Sequence, residues 1–239
     1  ASLHGYVADC VANDESTVND DGNITASDAT LTVTNSVFVA GDVGKSIVVH
    51  GAGAAGALLR TTIASYNSAT SVELTATAST TVVNAEIRWG TDNTAFLQAA
   101  IDAAKTIVDD QGPTRIVAQA VSIPPGLGLI MGEVILYRGV TLRGTGSSTT
   151  GLVHGGGSQA CIQCDTGVTN NNNIRISDLA IYGAGSTTTY GFAAHYCIKG
   201  CGASNLNIYN CNDNLFLDRS YTFDIENVVS DSAIRHGLN

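Results

Sequence analysis

The sequence predicts an all-β chain: a right-handed parallel β-helix capped by one α-helix and preceded by a small β-rich domain. Three observations lead there. Thr, Ser, Val, Ile, Asn and Gly dominate while Lys and Glu are scarce, which favours pleated strands joined by tight turns over exposed helices. A single stretch carries the apolar stripe of an amphipathic helix. Beyond it, short Leu-x-Ile strand patterns recur in the same sense, separated by Asn/Gly corners, as stacked coils require.

The 239 residues suffice for one large domain or two smaller ones, and 44% hydrophobic content is ample for a buried core. Eleven Lys plus Arg against 21 Asp plus Glu give a formal charge of −10, with the basic residues scattered singly. Attraction to phosphate needs a positive field, so neither nucleic acid nor an anionic membrane surface is an expected partner. No apolar run approaches the roughly 18–20 residues that span a bilayer, so no membrane insertion is expected. The start, Ala-Ser-Leu-His, shows no signal peptide.

Residues 1–27 are polar and acidic, with a turn at Asn19-Asp-Asp-Gly22, and read as an N-terminal arm or linker. Residues 28–90 form the small β-rich domain, with strand-type runs at Leu31–Val33, Val37–Val39, Ser46–His50 and Ser71–Leu74. Residues 91–239 hold the capping helix and the first coils. The helix opens at Thr91-Asp92-Asn93, where Thr91 or Asp92 can cap it, and runs to about Val108. Its stripe is Phe96, Leu97, Ala100, Ile101, Ala104, Ile107 and Val108. The end of a β-helix exposes unpaired N–H and C=O groups and an open apolar core, which such a stripe can cover.

After the helix, Leu179, Leu206 and Ile225 lie 27 and 19 residues apart, and Ile162, Ile198 and Phe216 lie 36 and 18 apart, as two sets of interior anchors. From Val121 onward there is room for about five coils, each rising about 4.8 Å. A β-sandwich with Greek-key links is the competing architecture.

Several motifs have plainer readings. Gly51-Ala-Gly53-Ala-Ala-Gly56 matches a dinucleotide fingerprint, but β-type sequence follows where a helix is needed, so a glycine loop is expected and no cofactor. Gly44-Lys45-Ser46 lacks the first glycine of a phosphate loop. Asn19–Gly22 with Asp28 only partly imitates a calcium loop. Cys161, Cys164, Cys197, Cys201 and Cys211, with Cys10 apart, read as buried reduced thiols in interior ladders, with disulfides, or zinc helped by His195, as alternatives. Asn170–Asn173 reads as a corner.

Thr91–Ala104, then Val121-Ser-Ile-Pro-Pro-Gly126, then Gly139-Val-Thr-Leu-Arg-Gly-Thr-Gly146 resemble the pectate-lyase-type β-helix of bacteriophage tailspikes. Upstream, Phe38–Lys45, Gly51-Ala-Gly53 and Ala69–Val72 resemble the small β-domain that often precedes it. The resemblance covers about residues 36–239 and is strongest over 91–146. It implies a helix plugging the solenoid's start, a homotrimer, a place in the virion beside tail or baseplate proteins, and a host surface polysaccharide bound or cleaved by the full-length chain; a non-enzymatic trimeric stem or tail-attachment segment, and a bacterial secreted polysaccharide lyase, are the alternative readings. Leu127–Gly132 departs from the family pattern and predicts an irregular first coil. The absence of a closing cap at Arg235–Asn239 reads as a piece of a longer chain, or its ordered part.

Cleaving a polysaccharide requires two carboxylates across the glycosidic bond, or a base with charge neutralisation for β-elimination. Asp224 and Glu226 alternate with Phe223 and Ile225, so both acids face outward if the apolar pair faces in. At i, i+2 they stand roughly 6–7 Å apart, between the retaining and inverting separations. Asp218, with Arg219, is expected about one strand earlier in the same coil, and Asp231, Arg235 and His236 follow. Asp224, Glu226 and Asp218 are therefore the catalytic candidates, with solvated face residues as the plainer reading.

Overall fold

The computed structural model describes residues 5–11, 20–35, 37–111 and 117–238. It divides into two compact units, residues 9–92 and residues 1–8 with 93–239.

The first unit is a closed barrel of six antiparallel strands: β1 (Asp20–Ile24), β2 (Thr30–Thr32), β3 (Ser46–Val49), β4 (Leu59–Ser68), β5 (Ser71–Leu74) and β6 (Val82–Gly90). Pairing in the order β1-β2-β5-β4-β3-β6 and back to β1 leaves no open edge. Leu31, Ile47, Val49, Ile63, Val72, Ile87 and Trp89 fill it, with the Phe38 and Trp89 rings 4.9 Å apart. Two local expectations change. Asp20–Gly22, read as a turn in an arm, belongs to a barrel strand with register shifts on both sides of Gly22. The buried Asp21 carboxylate is half satisfied there: Oδ2 accepts the Thr34 and Asn35 N–H groups at 2.9 Å each, while Oδ1 has no partner among the described residues. Val37–Val39 is not a strand; the Val37 and Phe38 N–H groups donate to the Ala69 carbonyl while Phe38 enters the core. The glycine loop ends in a single 3-10 turn at Ala54–Gly56, and a strand, β4, follows it. A Cβ at Gly53 would stand 2.6 Å from the Leu58 carbonyl oxygen, so only glycine fits.

The second unit is a parallel β-solenoid of about five coils. Each full coil has three strands. Coil 1 holds β7 (Gln119–Ser122), β8 (Gly126–Ile130) and β9 (Val134–Leu136); coil 2 holds β10 (Val140–Arg143), β11 (Thr150–His154) and β12 (Ile162–Cys164). The short β13 (Asn171–Asn172) leads into coil 3, a continuous bent tract β14 (Arg175–His195). Coil 4 follows β15 (Cys197–Lys199) as β16 (Cys201–Asp218), and coil 5 comprises β17 (Phe223–Asp231) and β18 (His236–Leu238). Every pairing between these coils is parallel. Greek-key links would make antiparallel pairs, so the sandwich alternative is excluded. Leu127–Gly132, expected to disturb the first coil, supplies β8, which runs in unbroken register beside β11.

Registers define what stacks. Leu179 lies beside Leu206, as the sequence spacing implies, but the next rung is Val228. Ile225 instead extends the Ile176–Ala203 column. It is 42% exposed because no further described rung lies over it. In the second set, Ile162 stacks with Phe192 and Leu215, whereas Phe216 is turned outward and Ile198 is half-buried in β15. The corners explain the shifted register. Asp178, Asn205 and Asn227 have φ of 58°, 52° and 50°, forming one column of left-handed residues. Each bends its coil at the same place, and the side chains bond along the column: Asn227 Nδ2 to Asn205 Oδ1 at 3.1 Å, Asn205 Nδ2 to Asp178 Oδ1 at 3.0 Å. Gly144 lies at the corresponding corner of coil 2, where a Cβ would come within 2.2 Å of the Asp178 carbonyl oxygen.

Helix α1 (Thr94–Asp109) packs on β7, β9 and β10. Leu97, Ala100, Ile101 and Ala104 join the solenoid core, so the helix does cover the mouth of coil 1. Phe96 and Ile107, expected in the buried stripe, are 41% and 47% exposed. Neither Thr91 nor Asp92 is the N-cap residue. Asn93 is the N-cap residue, and its side chain instead grips the Val7 N–H and C=O at 2.8 and 2.9 Å. Polar helix residues also satisfy the coil's open edge. The Thr94 hydroxyl accepts the Met131 and Gly132 N–H groups, while the Gln98 amide accepts the Ile135 N–H at 2.8 Å and donates to its carbonyl at 3.2 Å. Gln98 thus does for β9 what a neighbouring strand would do.

Candidate functional site

The three predicted acids fall on two different faces. Asp224 and Glu226 stand outward on β17 and are exposed, with Phe223 packed against the core on the alternate side. Asp224 pairs with Arg175, two coils back, at 3.2 Å, but the two side chains are 73% and 49% exposed. Such a pair contributes little, because water screens it and two long side chains must be ordered. Glu226 continues the column of Ser177 and Ser204. Asp218 ends β16 on another face, beside His195. The chain turns through Arg219, with φ of 49°, before β17 begins, so Asp218 does not share the strand face of Asp224 and Glu226.

The face built by β9, β12, the end of β14 and the end of β16 holds the richest set of side chains. Alternation decides its membership: Phe192 and Ala194 point in, leaving Ala193 and His195 out, while Leu215 points in and Phe216 and Asp218 point out. Tyr190 and Phe216 stack with ring centroids 4.4 Å apart, and the His195 ring tilts against Phe216 at 5.6 Å. Asp218 Oδ2 lies 3.4 Å from His195 Nδ1, a carboxylate placed to fix the orientation of an imidazole. From coil 1, Glu133 reaches across to receive the Gln163 side-chain amide at 2.7 Å and the Ala160 N–H at 3.3 Å. Burial pushes the Glu133 carboxyl above the usual carboxylate range, against the opposing pull of those bonds and of the nearby His195 charge. A carboxyl that keeps its proton to higher pH and an imidazole oriented by an acid are the components of general acid–base chemistry.

Asp213, on the same stretch of β16, has a structural task. Arg235 embraces both carboxylate oxygens and His236 Nδ1 lies 3.1 Å from Oδ1, holding its pKa below the ordinary range. Its neighbour Asn214 donates to the Ile208 and Asp231 carbonyls at 2.9 and 2.8 Å, tying coil 5 to coil 4. Arg235 and His236, singled out from the sequence, therefore clamp rungs together. Glu133 and Gln163, from segments distant in sequence, are not singled out by the sequence, whereas His195 and Phe216 read there in other roles, as a zinc helper and an interior anchor. His195 and Phe216 carried a legible signal, the out-facing alternation of Ala193-Ala-His195 and Phe216-Leu-Asp218.

All six cysteines are free and buried, and the five in the solenoid share its core. Cys164 and Cys197 sulfurs lie 3.7 Å apart on adjacent coils, and Cys201 donates to the Asn171 carbonyl. The contact with Cys164 pushes the Cys197 thiol up to about 12. The zinc alternative lacks its geometry: among the described residues no three His, Cys, Asp or Glu groups are placed to hold a metal, and His195 faces away from the thiols.

No family model matches the sequence, and no curated protein matches it. Among solved structures, the chain is similar to the A-module of the mannuronan C-5 epimerase AlgE4 of Azotobacter vinelandii, with a TM-score of 0.49, 18% identity, and coverage of 62% of this chain and 49% of that one. It is also similar to the catalytic unit of a GH87 α-1,3-glucanase from Streptomyces thermodiastaticus strain HF3-3, with a TM-score of 0.43, 14% identity, and coverage of 95% and 52%. A GH87 α-1,3-glucanase catalytic domain in complex with nigerose gives a TM-score of 0.43, 13% identity and coverage of 95% and 47%. The chain spans about half the length of each of these structures.

Proposed function

We propose that this chain is part of a bacteriophage tailspike or related receptor-binding protein that binds a host surface polysaccharide along its solenoid, with depolymerase activity belonging to the full-length chain. In this reading the protein is a homotrimer carried on the virion tail. The resemblance of residues 91–146 to that family supports it, as does the plugged solenoid those residues build. The single observation that carries the carbohydrate reading is the outward cluster of Tyr190, His195, Phe216 and Asp218 beside Glu133 and Gln163. Sugar rings offer apolar C–H faces and a rim of hydroxyl groups. Aromatic surface next to carboxylate, imidazole and amide groups complements both.

Binding to an array of bacterial surface polysaccharides, with glycan release measured in parallel, tests this proposal. His195→Ala with Asp218→Asn should weaken binding about tenfold or more, whereas Asp224→Ala with Glu226→Ala leaves it intact. The reverse ranking would move the site to β17. A protein that trimerises by light scattering yet retains no glycan would be a structural stem instead, and a stable monomer at micromolar concentration would remove the spike assignment.

A further inference from the structure

A cleft of about 520 Å³ opens where the second half of α1 faces the turn after β9 and the loop after β12. Its size lies inside the range of about 300–1,000 Å³ typical of small-molecule sites. Lys105 and Asp109 of the helix, Tyr137 and Arg138 of the turn, and Asp165 and Thr169 of the loop line it. The charges in it are unequally compensated. Lys105 is neutralised by Asp109 and lies 5.4 Å from the Tyr137 ring centroid. Asp165 accepts the Gly167 N–H at 2.8 Å but has no ion-pair partner among the described residues, and its charge acts on Lys105 and Tyr137. Arg138 has no carboxylate partner among the described residues.

The backbone holding Arg138 is fixed. The Val140 N–H donates to the Tyr137 carbonyl at 3.0 Å, and the Gly139 N–H donates to the Asn172 carbonyl of the neighbouring coil at 2.9 Å. A guanidinium with no carboxylate partner among the described residues, carried on a pinned turn beside a half-buried tyrosine, offers a planar fork of donors. Bidentate acceptance from such a fork is what a carboxylate does best.

We propose that this cleft is a saccharide subsite for a sugar bearing a carboxylate, a uronic-acid residue of the glycan, with the carboxylate on Arg138 and the ring against Tyr137. This rests on the carbohydrate reading above and adds to it a second position and a substrate class. Asp165 and Thr169 then face the ring hydroxyls, which donate to the former and exchange hydrogen bonds with the latter.

The test is amide and arginine side-chain NMR of the whole chain titrated with four probes: the methyl glycosides of galacturonate and glucuronate, and their neutral counterparts, galactose and glucose. The expected result is that a uronate shifts the Arg138 Nε and Thr169 signals while its neutral counterpart shifts them little. Arg138→Ala should then weaken the uronate about tenfold or more, with Arg138→Lys, which keeps the charge and loses the fork, in between. Shifts confined to His195, Phe216 and Asp218 would overturn the subsite and leave the carbohydrate reading standing. Equal response of the cleft to acidic and neutral sugars would overturn the carboxylate assignment. Silence of both surfaces towards all four probes would overturn both proposals.

Discussion

Replacing Gln98 by alanine should unfasten the edge of β9 from the capping helix. In the structure the side-chain amide accepts the Ile135 N–H at 2.8 Å and donates to the Ile135 carbonyl at 3.2 Å, so both backbone groups are satisfied by one side chain. Each such bond contributes about 1 kcal/mol net. Losing both costs about 2 kcal/mol locally, which corresponds to roughly 30-fold faster opening. Amide hydrogen exchange reads this directly, without requiring a two-unit chain to unfold in one step. The Ile135 amide should exchange roughly 30-fold faster in Gln98→Ala. The Met131 and Gly132 amides, which donate to the Thr94 hydroxyl, should be unaffected by that change and respond instead to Thr94→Val. Gln98→Glu retains an acceptor for the N–H but no donor for the carbonyl, and should fall between. An Ile135 amide exchanging at the native rate in Gln98→Ala would refute the reasoning that the helix substitutes for a missing strand.

The same structure makes other expectations. Ile101→Ala, at a fully buried position in the plug, should cost about 2–5 kcal/mol of solenoid stability in urea, whereas Phe96→Ala, at a site 41% exposed, should cost far less. At the corner column, Asn205→Gly should be tolerated better than Asn205→Ala. Glycine adopts φ of 52° freely, while alanine pays about 1–2 kcal/mol for it; chemical denaturation of the pair gives the ranking. Asp213 has a depressed native pKa, so its stabilising contribution is complete above the unfolded carboxylate value of about 3.9 and disappears as pH falls through the native one. Asp213→Asn should accordingly loosen coil 5 at neutral pH and flatten the acid limb of the stability profile. Finally, the buried thiols should resist a thiol-specific disulfide reagent in the native protein, and all six should react in guanidinium. A disulfide found by mass spectrometry of the native protein would contradict the thiol state described.

Local chemistry determined a good deal by itself. The strand-rich composition, the single amphipathic stripe and the recurring Leu-x-Ile runs specified a capped parallel solenoid, because periodicity reports which side of each element is dry. The Leu179–Leu206 rung was correct because the spacing of these two runs equals one coil. Tertiary structure decided where that spacing stops being informative. Ile225 fell out of its column, and Phe216 turned outward, because left-handed corners at residues such as Asn205 and Asn227 set where each coil bends, and loop lengths between corners differ. The arm expected at Asp20–Ile24 became a barrel strand because it pairs with β2 and with β6, a strand some sixty residues further along the chain. For the same reason the sequence nominated Asp218 but could not separate it from Asp224 and Glu226, nor join it to His195 and Glu133. Neighbours in a solenoid are set by register across coils, and hydrogen bonds formed across that register have no counterpart in the linear order of residues.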